Sequence, residues 1–471
     1  MKSIDWQEEV TKRKGELIAD AQQLLRIKSV LDEETKSDHA PFGKGIQEAL
    51  EYLLTKADHD QFSVKNVDGY AGHIEWGKGE EIVGVLCHID VVPEGDGWTS
   101  PPYAAEIRDG EIVARGALDD KGPTMAAYYA LKLIKELDLP LSKRVRMIIG
   151  TDEESDWRCV DHYFKHEEMP AVGFAPDADF PIIFAEKGIC DFELIQAKAN
   201  VNSEGKVKLE HFESGRRLNM VPDLAEASIS LGDNNGEELI EAFSRFIEGH
   251  ELEGSSRTED GRVYLQVKGV SAHGMEPKNG RNAGLYLAQF LAGFSFDEQA
   301  ATFLTFVKQY FVDDSRGTAL GIACYDEEVG DLTINIGRLT YEKETGGKLG
   351  VNLRYPAAVN FSDMMTTLTT QIQPHAFQVE NVDNSEPHHV EKEDPLVTTL
   401  QGVYERQTGE KAELIAIGGG TYARALKRGV AFGPLFPGRA DAAHQKDESI
   451  AIEDLLQATA LYAEAIYELA K

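Results

Sequence analysis

The chain has 471 residues, and its acidic side chains outnumber its basic ones so far that the formal net charge is −33. Nucleic acids and anionic membrane surfaces attract clusters of Lys and Arg, so this balance argues against both kinds of partner. Hydrophobic residues make up 42% of the chain, which is typical of a globular protein. The length predicts two or three domains.

The sequence shows no secretion or membrane-insertion signal. Its N-terminal region is charged and amphipathic, and no uninterrupted apolar stretch approaches the roughly 20 residues of a membrane span. The four cysteines, Cys87, Cys159, Cys190 and Cys324, form no close pair, which favours reduced thiols and gives no sulfur metal site. We therefore expect a cytoplasmic protein.

The first part of the chain alternates between helix and strand patterns. Helical periodicity over 8–27 and 45–56 precedes two short predicted strands, FSVKNV and GHIEWG. The nearly all-apolar run EEIVGVLCHID is typical of a parallel strand that is covered on both faces. A turn and an amphipathic helix follow, and then the strand-and-loop segments VRMIIGTDEES and AVGFAPDADF. This alternation predicts an α/β domain with a mostly parallel sheet and helices on both faces.

The pattern changes after about Gly188 and returns to the earlier style after about Ser385. Between these points the predicted strands are longer and more polar on one face, as in GRVYLQVKGV, and helices such as NAGLYLAQFLAGF separate them. This pattern indicates an inserted α+β domain with an antiparallel sheet. We therefore predict a catalytic α/β domain formed by residues 1–188 and 386–471, interrupted by a second domain over 189–385.

Several predicted strands and one turn end in histidine or carboxylate residues. In open parallel sheets, ligands bind at the carboxyl ends of the strands. So many carboxylates cannot lose their hydration together without a nearby cation. Imidazole and carboxylate donors suit Zn²⁺, Mn²⁺ or Co²⁺, and the number of carboxylates favours two ions over one. The residues placed in this way are His88, Asp90, Asp119, Glu153, Glu154 and Asp177.

Five motifs give the sequence a specific resemblance. They are HID (88–90), GALDDKG (116–122), TDEES (151–155), PDADFP (176–181) and ADAAH (440–444). Their order and approximate spacing resemble those of the di-metal exopeptidase family that includes aminoacylases, carnosinases and succinyl-diaminopimelate desuccinylase. The segments GVSAHGMEPKNGRNA, NMVPD, VNLRYP and IGGGTYAR are similar to those of the PepV-type dipeptidases within that family. The resemblance covers essentially the whole chain.

The resemblance implies a metal-binding role for five residues. His88 and Asp177 would hold one divalent ion, Glu154 and His444 would hold the other, and Asp119 would bridge the two. Zn²⁺ is the first candidate for both ions, while Mn²⁺ and Co²⁺ accept the same donors.

The resemblance also implies catalytic roles for three residues. Glu153 would act as the general base and acid, and His273 would stabilise the oxyanion of the tetrahedral intermediate. Asp90 would accept a hydrogen bond from the His88 ring and so fix its orientation; the alternative for Asp90 is an ordinary acid at a strand end.

Substrate contacts are implied for four further residues: Asn219, Arg354, Thr421 and Arg424. Arg354 suits the carboxylate of a peptide because its planar guanidinium pairs in a bidentate manner. The segment IGGGTYAR lacks the features of a phosphate-binding loop, and it could receive a carboxylate or serve only as a packing turn.

The function implied is hydrolysis of unblocked dipeptides by attack of a metal-bridging water. The inserted domain would form a lid of two ferredoxin-like halves, which implies a monomer. One alternative is an N-acyl-amino-acid deacylase with the same metal centre, and another is a metal-dependent binding protein without catalysis, against which the complete set of proposed residues speaks. The other histidines match no motif and are expected to be ordinary: His39, His59, His73, His162, His166, His211, His250, His375, His388 and His389.

Overall fold

The computed structural model describes residues 4–198, 207–231 and 236–471. They form two compact units. The first contains the described residues up to Ala185 together with His389–Ala416 and Thr421–Lys471, and the second contains those of Glu186–His388 and Ile417–Gly420. The predicted domain limits at 188 and 385 stay predictions, since compactness does not test independent folding.

The first segment of the first unit alternates between helices and strands. The elements are α1 (Trp6–Thr11), α2 (Lys14–Leu25), α3 (Lys44–His59), β1 (Ser63–Val67), β2 (Ala71–Gly77), β3 (Ile82–His88), β4 (Glu106–Arg108), β5 (Glu111–Val113), α4 (Lys121–Glu136), β6 (Arg144–Gly150), α5 (Arg158–His166), β7 (Val172–Ala175), β8 (Ala178–Asp179) and β9 (Ile182–Glu186). The helical pattern predicted over 8–27 is therefore two helices.

The second unit contains longer strands. The elements from Gly188 onward are β10 (Gly188–Gln196), β11 (Lys208–Ser214), β12 (Leu224–Ser230), α6 (Glu237–Gly249), β13 (Glu253–Glu259), β14 (Arg262–Lys268), α7 (Ala283–Leu291), α8 (Glu298–Tyr310), β15 (Tyr325–Asp326), β16 (Gly330–Asp331), β17 (Thr333–Glu342), β18 (Gly346–Tyr355), α9 (Phe361–Ile372) and β19 (Phe377–Ser385).

The last segment returns mainly to the first unit. The elements are β20 (His388–His389), α10 (Pro395–Thr408), β21 (Leu414–Ile417), β22 (Gly429–Ala431), β23 (Pro434–Leu435), β24 (Ser449–Ala451) and α11 (Ile452–Ala470). Short 3-10 helices cover Glu33–Thr35, Pro277–Asn279, Gln373–His375 and Tyr422–Ala425.

A nine-stranded sheet forms the centre of the first unit. Its order is β1-β2-β6-β3-β7-β22-β9-β20, with β21 also paired to β9. The middle pairs β6–β3, β3–β7 and β7–β22 are parallel, whereas β1–β2 and β2–β6 are antiparallel. All seven residues of β3 are buried, as its apolar run predicts. The predicted α/β class is confirmed.

An eight-stranded antiparallel sheet forms the second unit, in the order β13-β14-β12-β11-β17-β18-β10-β19. Burial alternates strictly along β10, so one face of this strand packs on the core and the other is more accessible. The core side includes Phe192, Phe212 and Phe303. This unit corresponds to the predicted α+β lid domain. Its eight strands form one continuous sheet, which runs through both of the predicted ferredoxin-like halves.

All four cysteines are free thiols, which confirms the prediction from their spacing. Of the helices in the three described parts of the chain, none has the length and apolarity needed to cross a bilayer.

Candidate active site

The parallel strands of the first unit bring the predicted acidic and imidazole groups to one sheet edge. His88 is the last residue of β3, and it pairs in register with Gly150, the last residue of β6. The loop that carries Glu153 and Glu154 begins directly after Gly150, and Asp177 follows β7 by two residues. Because these three strands are parallel, their carboxyl ends meet at the same edge.

His88 is held so that one ring nitrogen faces two carboxylates. Its Nδ1 lies 3.0 Å from the backbone carbonyl of Asp90, and since a carbonyl only accepts, Nδ1 carries the proton. Its Nε2 lies 3.0 Å from Asp119 Oδ1 and 3.7 Å from Asp177 Oδ2. Within the described residues, neither His88 Nε2 nor Asp119 Oδ1 has a hydrogen-bond partner of good geometry, although both are buried. Paired, orphaned donor atoms of this kind fit a shared metal ion.

The second carboxylate oxygen of Asp119 lies close to the ring of His444, which also contacts Glu154. His444 Nε2 lies 2.9 Å from Asp119 Oδ2 and 3.0 Å from Glu154 Oε1. Donor atoms bound to one zinc ion at about 2.1 Å lie roughly 3 to 3.5 Å apart, so both groups have the spacing of ligand sets. The structure thus brings together the five predicted ligands as two three-residue groups that share Asp119.

Burial and neighbouring charges shift the pKa values of the side chains in this cluster. Burial raises the pKa of Asp177 to about 6 and that of Glu154 to about 7, and the negative charge of Asp119 adds to both shifts. Hydrogen bonds to Asp119 and Glu154 raise the pKa of His444 to about 11. A divalent cation between these groups would stabilise the ionised carboxylates that burial disfavours. The donor set therefore fits divalent cations.

Glu153 lies next to the ligands without belonging to either three-residue group. Loss of hydration raises its pKa well above the usual range, and the charges of Asp177 and Glu154 raise it further, against the opposing effect of His88. A carboxyl group in this position can accept and return a proton, as a general base and acid does.

Asp90 supports the cluster with its backbone and its side chain. Its carbonyl accepts from His88 as described, while its carboxylate Oδ1 lies 3.5 Å from the same nitrogen. Its Oδ2 accepts from the Glu154 amide at 3.0 Å. The closer partner of the His88 ring is thus the main chain of Asp90 and not the predicted carboxylate.

Glu448 is a supporting residue that the sequence did not reveal. It is fully buried, and its Oε1 accepts from the amides of Leu118 at 2.9 Å and Asp119 at 3.1 Å. Its Oε2 accepts from the amide of Gly116 at 3.1 Å and from Arg115 Nη1 at 2.6 Å. Glu448 therefore fixes the backbone of the loop that presents Asp119.

Asp120 supports the strand end from the other side of the same loop. The peptide bond between Asp119 and Asp120 is cis. Asp120 Oδ2 accepts from the His88 amide and from the hydroxyl of Thr124, both at 3.0 Å. These bonds tie β3 to the first turn of α4.

Tyr422 contributes the buried part of the segment IGGGTYAR. Its ring meets His88 edge-on at a centroid distance of 5.8 Å and Trp157 at 5.2 Å. A Cβ atom at Gly150 would lie 1.9 Å from its hydroxyl, so a glycine is required there for close approach. Thr421 is buried beside it and Arg424 lies in the following 3-10 helix; their substrate contacts stay predictions.

The predicted lid residues lie in the second unit. The backbone carbonyl of Asn219 accepts from the Gly274 amide at 2.7 Å, which fixes the loop of His273. His273 Nδ1 accepts from the Met275 amide at 3.1 Å, so in the neutral ring Nε2 carries the proton. Burial and the charge of Arg354 lower the pKa of His273, which favours this neutral form.

Arg354 is buried in β18, and its Nη1 donates to the carbonyl of Gly418 at 2.8 Å. Its Nε donates to Asn352 Oδ1 at 3.0 Å. The first glycine of IGGGTYAR therefore lies against Arg354, as two parts of one unit. The substrate-binding roles of Arg354 and Asn219 stay predictions.

Comparison with known proteins identifies the class of enzyme. The sequence model of peptidase family M20/M25/M40 matches residues 84–468. The chain belongs to this family, and it is a metal-dependent peptide hydrolase.

Individual relatives cover nearly the whole chain. The chain is 56% identical over 468 residues to "Putative dipeptidase YtjP" of Bacillus subtilis, covering 99% of this chain and 100% of the relative. The fold resembles that of human carnosine dipeptidase 1, with a TM-score of 0.55 and 15% identity over 98% of both chains. It also resembles aminopeptidase PepT from Bacillus cereus, with a TM-score of 0.57 and 16% identity over 97% of this chain and 99% of that one.

Proposed function

We propose that the protein is a dipeptidase that hydrolyses unblocked dipeptides with the help of two divalent cations. The observation that carries this proposal is the position of Asp119, whose two oxygens face two separate histidine–carboxylate groups. A bridging carboxylate of this kind is what a two-metal hydrolase requires. The dipeptidase name of the relative at 56% identity supports the choice of substrate class.

His88 and Asp177 are proposed to hold one ion, Glu154 and His444 the other, and Asp119 both. Zn²⁺ is the first candidate because it favours imidazole and carboxylate donors in small coordination shells, and Mn²⁺ would accept the same set. When bound, the cations would polarise the scissile carbonyl and lower the pKa of a water between them.

Glu153 then supplies the proton transfers. Its carboxylate accepts a proton from the attacking water and passes it to the leaving amine. His273 is proposed to donate from Nε2 to the oxyanion, since its Nδ1 is already occupied by the Met275 amide. A donor of this type stabilises the transition state by about 3 kcal/mol.

Recognition of the free ends is proposed to distinguish a dipeptide from longer or blocked substrates. Arg354 is the proposed partner of the terminal carboxylate, together with Asn219, Thr421 and Arg424. The bonds from Arg354 to Asn352 and Gly418 restrict the orientation of its guanidinium, which lowers the entropic cost of pairing with a carboxylate.

A substrate comparison tests the dipeptidase assignment. Purified enzyme would be assayed for kcat/KM on a dipeptide and on the same dipeptide with an acetylated N-terminus. We expect faster hydrolysis of the free dipeptide. Preference for the acetylated compound would favour an N-acyl-amino-acid deacylase and contradict the proposal.

A variant tests the role of Glu153. Glu153→Gln keeps the shape of the side chain and removes its base, so we expect kcat to fall by at least about 10³-fold while the metal content stays unchanged. Glu48→Gln, at an exposed position on α3, is the matched control. Turnover near the wild-type level in Glu153→Gln, with normal metal content, would refute the assignment.

A further inference from the structure

A second group of histidine and carboxylate side chains lies outside the catalytic cluster, which is the set of proposed metal ligands His88, Asp119, Glu154, Asp177 and His444. It is formed by Asp68, His162 and His166, each of which offers one donor atom within 4.8 Å of the others. We call this group the helical triad. It shares no residue with the two groups around Asp119, and the family resemblance assigns it no role.

The two histidines of the triad lie on one face of α5. They are four residues apart in the segment HYFKH, a spacing that places two side chains one above the other on a helix. Their ring centroids are 4.3 Å apart. Pairs of histidines at this spacing on a helix are a common way to bind zinc.

The third donor comes from the turn between β1 and β2. Asp68 adopts a left-handed backbone conformation there, with φ of 55°, and its Oδ2 lies 2.9 Å from His162 Nε2. The gap between two ligand atoms on one zinc ion is roughly 3 to 3.5 Å, so a small outward movement of this exposed carboxylate would admit an ion.

Contacts with neighbouring groups restrict the orientation of both rings. His166 Nδ1 lies 2.9 Å from the His162 carbonyl. Because a carbonyl only accepts, Nδ1 carries the proton, and the lone pair of the neutral ring that can bind a metal ion lies on Nε2. This is the backbone support that metal-binding histidines usually have. The ring of His162 stacks on Tyr70 at a centroid distance of 4.3 Å, which restricts its rotation.

The helix itself is firmly anchored beneath the triad. Cys159, Val160 and Tyr163 are buried on its inner face, and the Tyr163 hydroxyl lies 2.8 Å from Nδ1 of His73 on β2. The two histidines of the triad therefore project from a fixed scaffold, which lowers the entropic cost of binding an ion.

We propose that Asp68, His162 and His166 form a surface binding site for a zinc-type divalent transition metal, separate from the catalytic centre. The ion would take one carboxylate oxygen, two imidazole nitrogens and water as its fourth ligand. It would join the β1–β2 turn to α5.

Zinc binding to the full-length enzyme, already loaded with its catalytic metals, tests this proposal. Equilibrium dialysis against Zn²⁺ followed by elemental analysis gives the ions bound per chain. We expect His162→Ala/His166→Ala to bind one zinc ion fewer per chain than the wild type. Asp68→Asn should weaken binding at this site by at least about tenfold, because even an indirect partner of a metal ligand contributes that much.

Two control variants match these changes. His59→Ala removes an exposed histidine from the end of α3, and Asp109→Asn alters an exposed aspartate that also has a positive φ, of 50°. Both should bind zinc as the wild type does. Equal zinc stoichiometry and affinity in the double variant and the wild type would overturn the proposal.

Hydrogen exchange on the wild-type enzyme gives an independent measurement should the double variant fold poorly. Added zinc should slow exchange in residues 67–71 and 158–166, and leave α3 unchanged. Absence of slowing in both segments would also overturn the proposal.

Discussion

The cluster around Asp119 and the helical triad both combine imidazole and carboxylate groups, but the carboxylates of the first are mostly buried and that of the second is exposed. In the cluster, His88 is fully buried and its carboxylate partners are largely shielded from water. In the triad, the Asp68 side chain is 68% exposed and His166 is also exposed. Buried carboxylates need a cation because water cannot stabilise their charge, whereas exposed ones do not. Burial of the carboxylates, more than the type of donor, therefore decides how strongly a group of this kind depends on a cation.

The largest effect should come from removing the shared ligand. Asp119→Asn leaves one carbonyl oxygen in place of two carboxylate oxygens, so it cannot bridge, and we expect kcat/KM to fall by at least about 10³-fold. Metal analysis should show fewer ions per chain. Asp109→Asn, at an exposed turn, should retain both activity and metal. An Asp119→Asn enzyme with its full metal content would disprove the bridging role.

A smaller effect should come from the support beneath Asp119. Glu448→Gln removes the charge that pairs with the buried Arg115 and replaces one of the two acceptor oxygens by an amide. We expect metal affinity to fall by about 10- to 100-fold, as for other partners of metal ligands. Competition with a chelator measures this affinity. Glu453→Gln, whose glutamate is exposed, is the control, and equal affinity in both variants would contradict a positioning role.

The next effect concerns a buried histidine without a dominant carboxylate partner. Burial lowers the pKa of His73 to about 4; the charges of Arg146 and Lys65 lower it too, against the weaker opposing effect of Glu167 and Glu75. Between pH 6.5 and pH 4 the unfolded chain gains a proton that the folded chain does not. Stability should therefore fall as the pH falls through this window, with a contribution from His73 of about 2 kcal/mol at pH 5.

The His73→Gln variant isolates this contribution. The difference in free energy of unfolding between pH 7 and pH 5 should shrink by about 2 kcal/mol relative to the wild type. His59→Gln, at an exposed position, should leave the difference unchanged. The same pH dependence in His73→Gln and the wild type would show that His73 takes up its proton in the folded state.

The smallest effect should come from the triad in the absence of added metal. Because His166 is exposed, His166→Ala should change the free energy of unfolding by no more than about 0.5 kcal/mol. Thermal or denaturant unfolding measures this change. A decrease of several kcal/mol in the free energy of unfolding without metal would mean that the triad stabilises the fold itself. The triad would then not differ from the buried cluster in its importance to the folded protein.

The sequence predicted that these side chains lie close together because most of them follow apolar strands in recognisable motifs. His88 ends an all-apolar run, and the parallel register places it beside Gly150, where the acidic loop begins. His444 was predicted from the family resemblance, through the motif ADAAH (440–444), because no strand or helix pattern around it indicates its position. The α/β class and the antiparallel second unit followed from the periodicity of the strands.

Burial and distant pairing could not be predicted in this way. Glu448 stands in the sequence KDESIAI, where nothing separates it from the many exposed acids of a chain with a net charge of −33. His162 and His166 were expected to be ordinary histidines, and Asp68, which lies beside His162, comes from a turn 94 residues earlier in the chain. Both features depend on tertiary contacts that a local pattern does not contain.

The hydrogen bonds of Glu448 also join two distant parts of the chain. Glu448 binds the amide of Leu118 across 330 residues of chain, and His444 lies only four residues before it. The backbone around Asp119 is therefore held by a segment that lies far along the chain, and the same segment carries the His444 ring to within 2.9 Å of Asp119.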